Sequence, residues 1–315
     1  MYFPFLRGKQ YEIIALKELA EKIATNKNII PIIEPVKKNL SGLVSAIDVF
    51  KKAEMPFVII SNPQVGELSG KLSEIDHKLF KDALKNFRNF FVGFIVTNKT
   101  SLSEIRNFLS KHKADQVCLI HYKTFADVEG LKSLLQEFSN IAYNVFYEKN
   151  ISRKYPQIFE GFNNISLNDG FTKENNADYP PEEYFSDRYD SFEVDGYKGF
   201  GDYLIVGNEY SATGGPAYAV AIHLTYLHDN EDIWVKHFVS IEKGSPVNNA
   251  GKFFEALGKL VRYVNANKAM FAFSDACKEF LDLHQTGHYP GLGYVKKLSM
   301  KHHIELISTL IPKRK

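Results

Sequence analysis

Short apolar runs alternate along the chain with longer segments in which apolar residues recur at helical spacing. In the first helical segment, Ile13, Leu16 and Ile23 fall three to seven residues apart, on one face of a helix. The apolar runs predict eight β-strands, at 2–6, 29–36, 57–61, 90–97, 116–122, 141–148, 164–168 and 203–206. The periodic segments predict a helix after each strand, at 9–24, 41–53, 73–87, 101–113, 127–138, 152–159, 180–189 and 248–266.

Eight strands that are each followed by a helix match the count of a closed (β/α)8 barrel. The strands at 29–33, 57–60 and 117–120 are nearly continuous apolar runs, as expected of strands that are buried on both faces. The sequence therefore predicts an α/β protein with a TIM-barrel-like architecture. An open doubly wound sheet is the alternative, but the first strand-to-helix turn lacks the GxGxxG pattern of a Rossmann fold.

An insertion separates the eighth predicted strand from its helix. It consists of a turn-rich loop at 207–216 and two apolar runs, 218–227 and 233–241, which predict a β-hairpin. Two further helices are predicted at 274–284 and 295–311, and a solvated tail at 312–315. We therefore expect a barrel over 1–267 with 208–247 inserted, and a C-terminal helical extension over 268–315.

The composition is that of a globular protein without a strong charge bias. The 315 residues include 39 Lys and Arg against 37 Asp and Glu, so the net charge of +2 does not indicate a nucleic-acid coat. The two cysteines lie in no CxxC or CxxH spacing, which argues against a disulfide scaffold and a zinc finger. With no secretory leader and no apolar stretch of about 20 residues, the chain is expected in the cytoplasm, away from membranes.

Polar residues follow most of the predicted strands, at the positions where (β/α)8 enzymes carry their sites. Three of them are candidate catalytic residues: Glu34, His121 and Glu148. Six are candidate ligand-binding residues: Arg7, Lys9, Asn62, Asn98, Lys123 and Asp202. Glu34 and Asp169 are the candidate metal ligands, since carboxylate oxygens suit Mg²⁺ or Mn²⁺.

This set favours phosphoester or nucleotide chemistry, because cations hold phosphate oxygens while acids hold a metal. Arg7, Gly8 and Lys9 lie at a strand-to-helix junction, where backbone N–H groups can face an anion. The glycines of the 207–216 loop also permit a close approach to phosphate, although an ordinary hairpin-entry loop fits equally well. Strand ends collect polar residues in any α/β protein, so salt bridges are the alternative interpretation.

Two other interpretations apply to smaller groups of residues. Paired glutamates also serve in glycoside hydrolysis, but the single tryptophan, Trp234, lies outside the predicted barrel and gives that activity little support. Lys296, Lys297, Lys301 and His302 predict a basic, solvated face of the last helix.

Five segments of the chain carry a resemblance to known proteins: YFPFLRGKQYE at 2–12, IPIIEPV at 30–36, GDY at 201–203, GGPAYAV at 214–220 and GYVKKLSM at 293–300. They resemble a bacterial family of uncharacterised proteins related to the Beta protein of phage satellites. The resemblance covers most of the chain and implies a role in phage defence or mobile elements, commonly beside a gene for a nuclease-like partner. It implies no catalytic residues.

Two functions follow from these observations. The first is a metal-dependent phosphoester hydrolase, or a sensor, that takes a nucleotide or nucleic acid at the barrel mouth. The second is a non-catalytic sensor or adaptor that binds the nuclease-like partner through the insertion and the C-terminal helices. The second is favoured by the aromatic residues of that region, which are Tyr210, Tyr218, Tyr226, Trp234, Phe238 and Tyr289.

Overall fold

The computed structural model describes residues 1–311, so the predicted tail at 312–315 lies outside the described residues. The chain divides into two compact units. The first unit, which we call the barrel unit, comprises 1–13, 17–169 and 190–202. The second unit comprises 14–16, 170–189 and the chain from 203 onward.

Eight parallel strands form the sheet of the barrel unit, in the order β1-β2-β3-β4-β5-β6-β7-β9. A parallel bridge between Tyr2 and Phe200 brings the last strand back beside the first, so the sheet closes nearly into a barrel. The TIM-barrel-like fold class is therefore confirmed. The strands are β1 (Phe5–Leu6), β2 (Ile32–Ile33), β3 (Phe57–Ile60), β4 (Phe90–Val96), β5 (Gln116–His121), β6 (Ile141–Tyr147), β7 (Asn164–Asn168) and β9 (Gly199–Asp202).

Helices connect these strands and cover the outside of the sheet. They are α1 (Gln10–Asn26), α2 (Ser41–Ala53), α3 (Leu72–Ile75), α4 (Leu102–Lys111), α5 (Val128–Gln136), α6 (Tyr155–Ile158) and α7 (Arg188–Ser191). The segment after α3 continues as a π-helix over Asp76–Ala83, where the sequence predicts one α-helix. A capping box begins α4: the Ser101 and Glu104 side chains each accept the other residue's backbone N–H.

The eighth barrel strand is β9, and the prediction of a strand at 203–206 is wrong. Residues 204–206 form a 3₁₀ turn. The strand uses Gly199 and Gly201, whose Cα atoms pass close to the first strand; a Cβ on Gly201 would lie 2.2 Å from the carbonyl oxygen of Phe3. Glycine has a low strand propensity, so the sequence pattern placed the eighth strand at the apolar residues that follow. Those residues are buried, but in the 3₁₀ turn and not in a strand.

The predicted helix at 180–189 is also wrong, because β8 (Glu182–Ser186) occupies that segment. It pairs antiparallel with β11 (Ile233–Val239), which pairs antiparallel with β10 (Ala221–Leu227). The predicted hairpin is therefore confirmed, as two strands of a three-stranded sheet. Phe185 is buried while Tyr184 is exposed, an alternation of period two that a strand requires.

The second unit has a core of its own, built from one face of this sheet and from helices. These are α8 (Asn249–Ala266), α9 (Lys268–Phe271), α10 (Asp275–Thr286) and α11 (Leu292–Leu310). Ile222 and Leu224 of β10 pack in one cluster with Leu257 of α8, Phe280 of α10 and Leu298 of α11. The sequence pattern predicted α8 as the helix that follows the eighth barrel strand. Its apolar face contributes instead to the core of the second unit.

The solvated basic face predicted on the last helix is wrong. Lys297 is 1% exposed and Lys301 is 7% exposed, and both ammonium groups pair with the Glu279 carboxylate. Lys297 also lies over the Tyr294 ring, 3.7 Å from its centroid. Because neighbouring elements cover α11 on several sides, Lys297 and Lys301 are buried and paired rather than hydrated, and Lys296 alone of the three lysines is exposed.

Candidate functional site

The predicted site residues lie at the carboxyl edge of the barrel sheet. Arg7 and Glu34 directly follow β1 and β2, Asn62 and Asn98 lie two residues beyond β3 and β4, and Lys123 two beyond β5. His121 and Asp202 are the last residues of β5 and β9, whereas Glu148 and Asp169 directly follow β6 and β7. Lys9 immediately precedes α1. The parallel topology therefore gathers the backbone positions, and the side-chain contacts decide which groups meet.

Arg7 and Glu34 meet directly in a buried ion pair. The Arg7 Nε atom lies 3.2 Å from Glu34 Oε2, and the two residues are 9% and 2% exposed. The other carboxylate oxygen of Glu34 accepts the backbone N–H of Gln64 at 2.7 Å. Burial raises the pKa of the Glu34 carboxyl, and the Arg7 guanidinium opposes that rise. The pair joins the ends of β1 and β2 to the loop after β3.

The backbone donors expected to face an anion beside Gly8 bind a carboxylate of the chain itself. Glu12, in the first turn of α1, accepts the N–H of Arg7 at 2.6 Å and the N–H of Lys9 at 3.3 Å. Burial raises the pKa of Glu12, while these two hydrogen bonds lower it. The anion that these two N–H groups face is therefore Glu12 of the same chain.

His121 faces the helix layer, not the barrel interior. Its ring stacks on Phe146, with centroids 4.4 Å apart, and Nδ1 lies 3.0 Å from the Tyr155 hydroxyl of α6. That hydroxyl also accepts the N–H of Phe125 at 3.3 Å. Nε2 lies 3.3 Å from the side-chain oxygen of Asn144. Burial lowers the pKa of His121 to about 4, which leaves the ring neutral at pH 7.

Two of the predicted ligand-binding residues tie strands together. The Asn62 amide donates to the carbonyl of Ile95 at 2.9 Å and accepts its N–H at 2.7 Å, which extends the pairing of β3 with β4. Asp202 is 5% exposed and accepts the Tyr2 hydroxyl at 2.8 Å, which links β9 to the first strand. Both side chains therefore hold neighbouring strands of the barrel sheet together.

The remaining predicted residues are more accessible. Asn98 and Lys123 are exposed, whereas Lys9, Glu148 and Asp169 are half-buried. Across residues 1–311, no three His, Cys, Asp or Glu side chains gather in a way that would hold a metal ion. The assignment of Glu34 and Asp169 to a metal stays a prediction.

Sequence reasoning missed two aromatic residues at this edge. Tyr122 stacks on Tyr147 with centroids 5.0 Å apart and an interplanar angle of 18°. Side chains of a strand alternate between its faces, so the outward orientation of His121 places Tyr122 on the opposite face, toward the barrel interior. The sequence shows a tyrosine next to His121. Only the packing of α6 against His121 decides which of the two side chains faces the barrel interior.

The glycine-containing loop at 207–216 belongs to the second unit and is largely exposed. Its Glu209 carboxylate pairs with Lys173 at 3.3 Å, and the Ser211 hydroxyl donates to the carbonyl of Thr213 at 2.5 Å. The loop precedes β10, the first strand of the hairpin.

Fold and edge geometry together define a TIM-barrel-like α/β protein with a second, sheet-containing unit. Comparison with protein-family models finds none that matches the chain. Comparison with curated protein sequences finds no significant match either. Over the part of the chain that the structure describes, no helix has both the length and the apolar character needed to span a membrane.

Proposed function

We propose that this chain is a non-catalytic sensor or adaptor of a bacterial anti-phage defence system, acting in the cytoplasm, whose second unit binds a nuclease-like partner protein. The defence setting and the partner rest on the resemblance of the five sequence segments described above. The choice of an adaptor over a hydrolase rests on the structure, in two steps.

The first step concerns the groups expected to perform hydrolysis. Glu34 is engaged by Arg7 and by a backbone N–H, and the amides beside Gly8 are engaged by Glu12. His121 is held by Tyr155 and Asn144 in the helix layer. A general base must reach the proton it removes, and these three contacts favour structural roles.

The second step is the observation that carries the proposal. Of the seven large apolar side chains that are exposed within residues 1–311, five lie in the second unit. Tyr218, Ile241 and Val247, which we call the loop patch, are 52%, 74% and 65% exposed. All three lie in or beside segments whose backbone bonds to the first turns of α8. Exposed apolar side chains are a common feature of protein-binding surfaces.

The loops that carry this patch are held in place by α8. The Lys252 ammonium of α8 is buried and donates to the carbonyls of Ala217 and Ser245, at 2.5 and 2.8 Å. Glu255, one turn later, accepts the N–H groups of Ile241 and Glu242 at 2.6 and 2.9 Å. A surface whose backbone is already fixed loses less entropy on binding, which favours a stable contact with a partner.

The test is a titration of the purified chain with the product of the neighbouring nuclease-like gene, measured by calorimetry. Replacing the loop patch by serine (Tyr218→Ser, Ile241→Ser and Val247→Ser together) is expected to weaken binding at least tenfold, since central apolar anchors each contribute on the order of 1–2 kcal/mol. Val194→Ser is the matched control, because Val194 is 89% exposed and lies in the barrel unit.

Two results would contradict the proposal. One is equal partner affinity for the wild type and the triple variant. The other is turnover of a nucleotide or oligonucleotide in the presence of Mg²⁺ or Mn²⁺ that is lost in Glu34→Gln, which would favour the hydrolase instead.

A further inference from the structure

A groove on the outside of the barrel unit has no role in the proposed function. It lies between the π-helix and α4, beside the ends of β3 and β4, and encloses about 580 Å³. Pockets of about 300–1,000 Å³ accommodate small organic ligands. In (β/α)8 proteins the loops after the strands are the usual place for such sites.

The base of the groove is aromatic. Phe94 of β4 and Phe108 of α4 stack with centroids 4.5 Å apart, and both residues are buried. Phe80 of the π-helix completes the surface and is partly exposed. Leu72, which also lines the groove, is 52% exposed. These side chains offer a flat apolar ligand a stacking surface that water covers poorly.

The charged residues that line the groove differ in how far they are already paired. Lys111 and Lys81 both pair with Asp76, at 2.6 and 3.1 Å, so that carboxylate is neutralised by two cations. Glu104 is engaged by the N-cap of α4, with Ser101 N–H and hydroxyl donors at 2.7 and 2.8 Å. Lys99 lines the rim and its ammonium makes no ion pair with any described residue. Two lysines, Lys99 and Lys111, and two carboxylates, Asp76 and Glu104, thus line the groove, and both carboxylates are engaged within the chain. Lys99 is left to attract an acidic group of a ligand.

The π-helix is a second, independent sign of a functional site. Helices of this kind are rare, mostly single-turn interruptions of an α-helix, and they occur frequently at functional sites. Here the π-helix extends over eight residues, Asp76–Ala83, and supplies both Asp76 and Phe80 to the wall.

We propose that this groove binds a small molecule with a flat aromatic ring and one acidic group. The ring lies against Phe80, Phe94 and Phe108, and the acidic group meets Lys99 at the rim. A nucleoside monophosphate and an aromatic carboxylate both have this chemistry. The site lies wholly within the barrel unit, so it stands or falls independently of partner binding by the second unit.

The experiment is a calorimetric titration of the full chain with adenosine monophosphate, guanosine monophosphate and indole-3-acetate, with adenosine as the uncharged comparison. Saturable binding of a monophosphate identifies a nucleotide as the source, and saturable binding of indole-3-acetate alone identifies an aromatic carboxylate. Lys99→Ala is expected to weaken binding of the acidic ligand about tenfold or more, as loss of a hydrogen bond to a charged group does. Lys52→Ala, at an exposed lysine of α2 outside the groove, is expected to change nothing.

A filling variant tests the location of the site. Asn107 lines the groove from an exposed position on α4, so Asn107→Trp is expected to abolish binding while the chain stays folded. Ser110→Trp places the same side chain on an exposed position of α4 outside the groove, and should bind as the wild type does. Absence of saturable binding by all three acidic ligands would overturn the proposal. So would binding that Asn107→Trp leaves unchanged.

Discussion

The barrel unit and the second unit bury charged and titratable groups in different places. In the barrel unit, Arg7, Glu12 and Glu34 are buried where strands give way to loops, and each is held partly by backbone or by an ion pair. In the second unit, Lys297 and His302 are buried in the middle of a long helix. Polar residues are expected at strand ends in any fold of this class, because strands give way to loops there. Whether a residue in the middle of a helix is buried depends instead on which elements pack against that helix.

Breaking the Arg7–Glu34 pair tests the barrel side of this comparison and has the largest expected effect. Arg7→Met leaves a buried carboxylate without its cation, which costs about 3–5 kcal/mol of unfolding free energy. The measurement is urea denaturation followed by circular dichroism. Adding Glu34→Gln to Arg7→Met should restore part of the loss, since the double variant buries no charge at that position.

The matched control is Arg106→Met. Arg106 pairs with Glu137 through two short contacts, at 2.6 and 2.7 Å, but both side chains are about half exposed. No resolvable change in stability is expected. A loss in Arg106→Met equal to that in Arg7→Met would show that burial is not what gives the Arg7–Glu34 pair its importance.

Acidification should distinguish the two units. Burial lowers the pKa of His302 to about 4, and it also lowers the pKa values of His223 and His237. Between the unfolded value of about 6.5 and the folded value, the unfolded state binds more protons, so stability falls as the pH falls. At pH 5, a histidine with a folded-state pKa of about 4, like His302, lowers the free energy of unfolding by about 2 kcal/mol.

The barrel unit has one such histidine, His121, and two carboxyls that act in the opposite sense. Burial raises the pKa values of Glu12 and Glu34, so the folded state binds more protons there and gains stability as the pH falls from neutral. Trp234, the single tryptophan, lies in β11 and reports on the second unit. Between pH 7 and 5, the urea midpoint by Trp234 fluorescence should fall further than the midpoint by circular dichroism. Equal shifts would contradict the comparison.

Two N-cap serines give the smallest and most closely matched test. Ser101 caps α4 in the barrel unit and is exposed, while Ser274 caps α10 in the second unit and is fully buried. Ser274 also bonds His302 at 2.8 Å and Glu305 at 2.9 Å. Ser101→Ala should cost about 1 kcal/mol, the usual value for a cap.

Ser274→Ala should cost about 2–3 kcal/mol, because it removes one hydrogen bond from each of two buried polar partners, His302 and Glu305, in addition to the cap. Thermal or urea denaturation of the two variants checks the difference. Equal costs would mean that the buried network around Ser274 contributes nothing beyond the cap.

Most of the barrel was predictable because its strands are buried on both faces. The apolar runs at β2 through β5 stand out against their polar surroundings, and the helix after each run shows its own period. The eighth strand was not predictable. Gly199 and Gly201 allow the backbone of β9 to lie close to the first strand. This requirement exists only when the sheet closes.

The candidate site was predictable in position but not in its contacts. Parallel topology alone brings Arg7, Glu34 and Asp169 to one edge, and the chain order is sufficient to deduce this. Whether a carboxylate at that edge is open to a ligand or held by a neighbour depends on side chains far away in sequence. Glu34 is held by Gln64, 30 residues later, and His121 by Tyr155, 34 residues later.

The sequence by itself determined the alternation of strands and helices, the fold class, the inserted hairpin and the edge where polar groups collect, because these follow from local periodicity and chain order. Only the tertiary structure decided that Glu12 occupies the anion position beside Gly8, that Lys297 and Lys301 are buried, and that 182–186 is a strand. Hydrophobic period is a property of neighbouring residues, whereas burial and pairing of a charge are properties of the partner that folding brings to it.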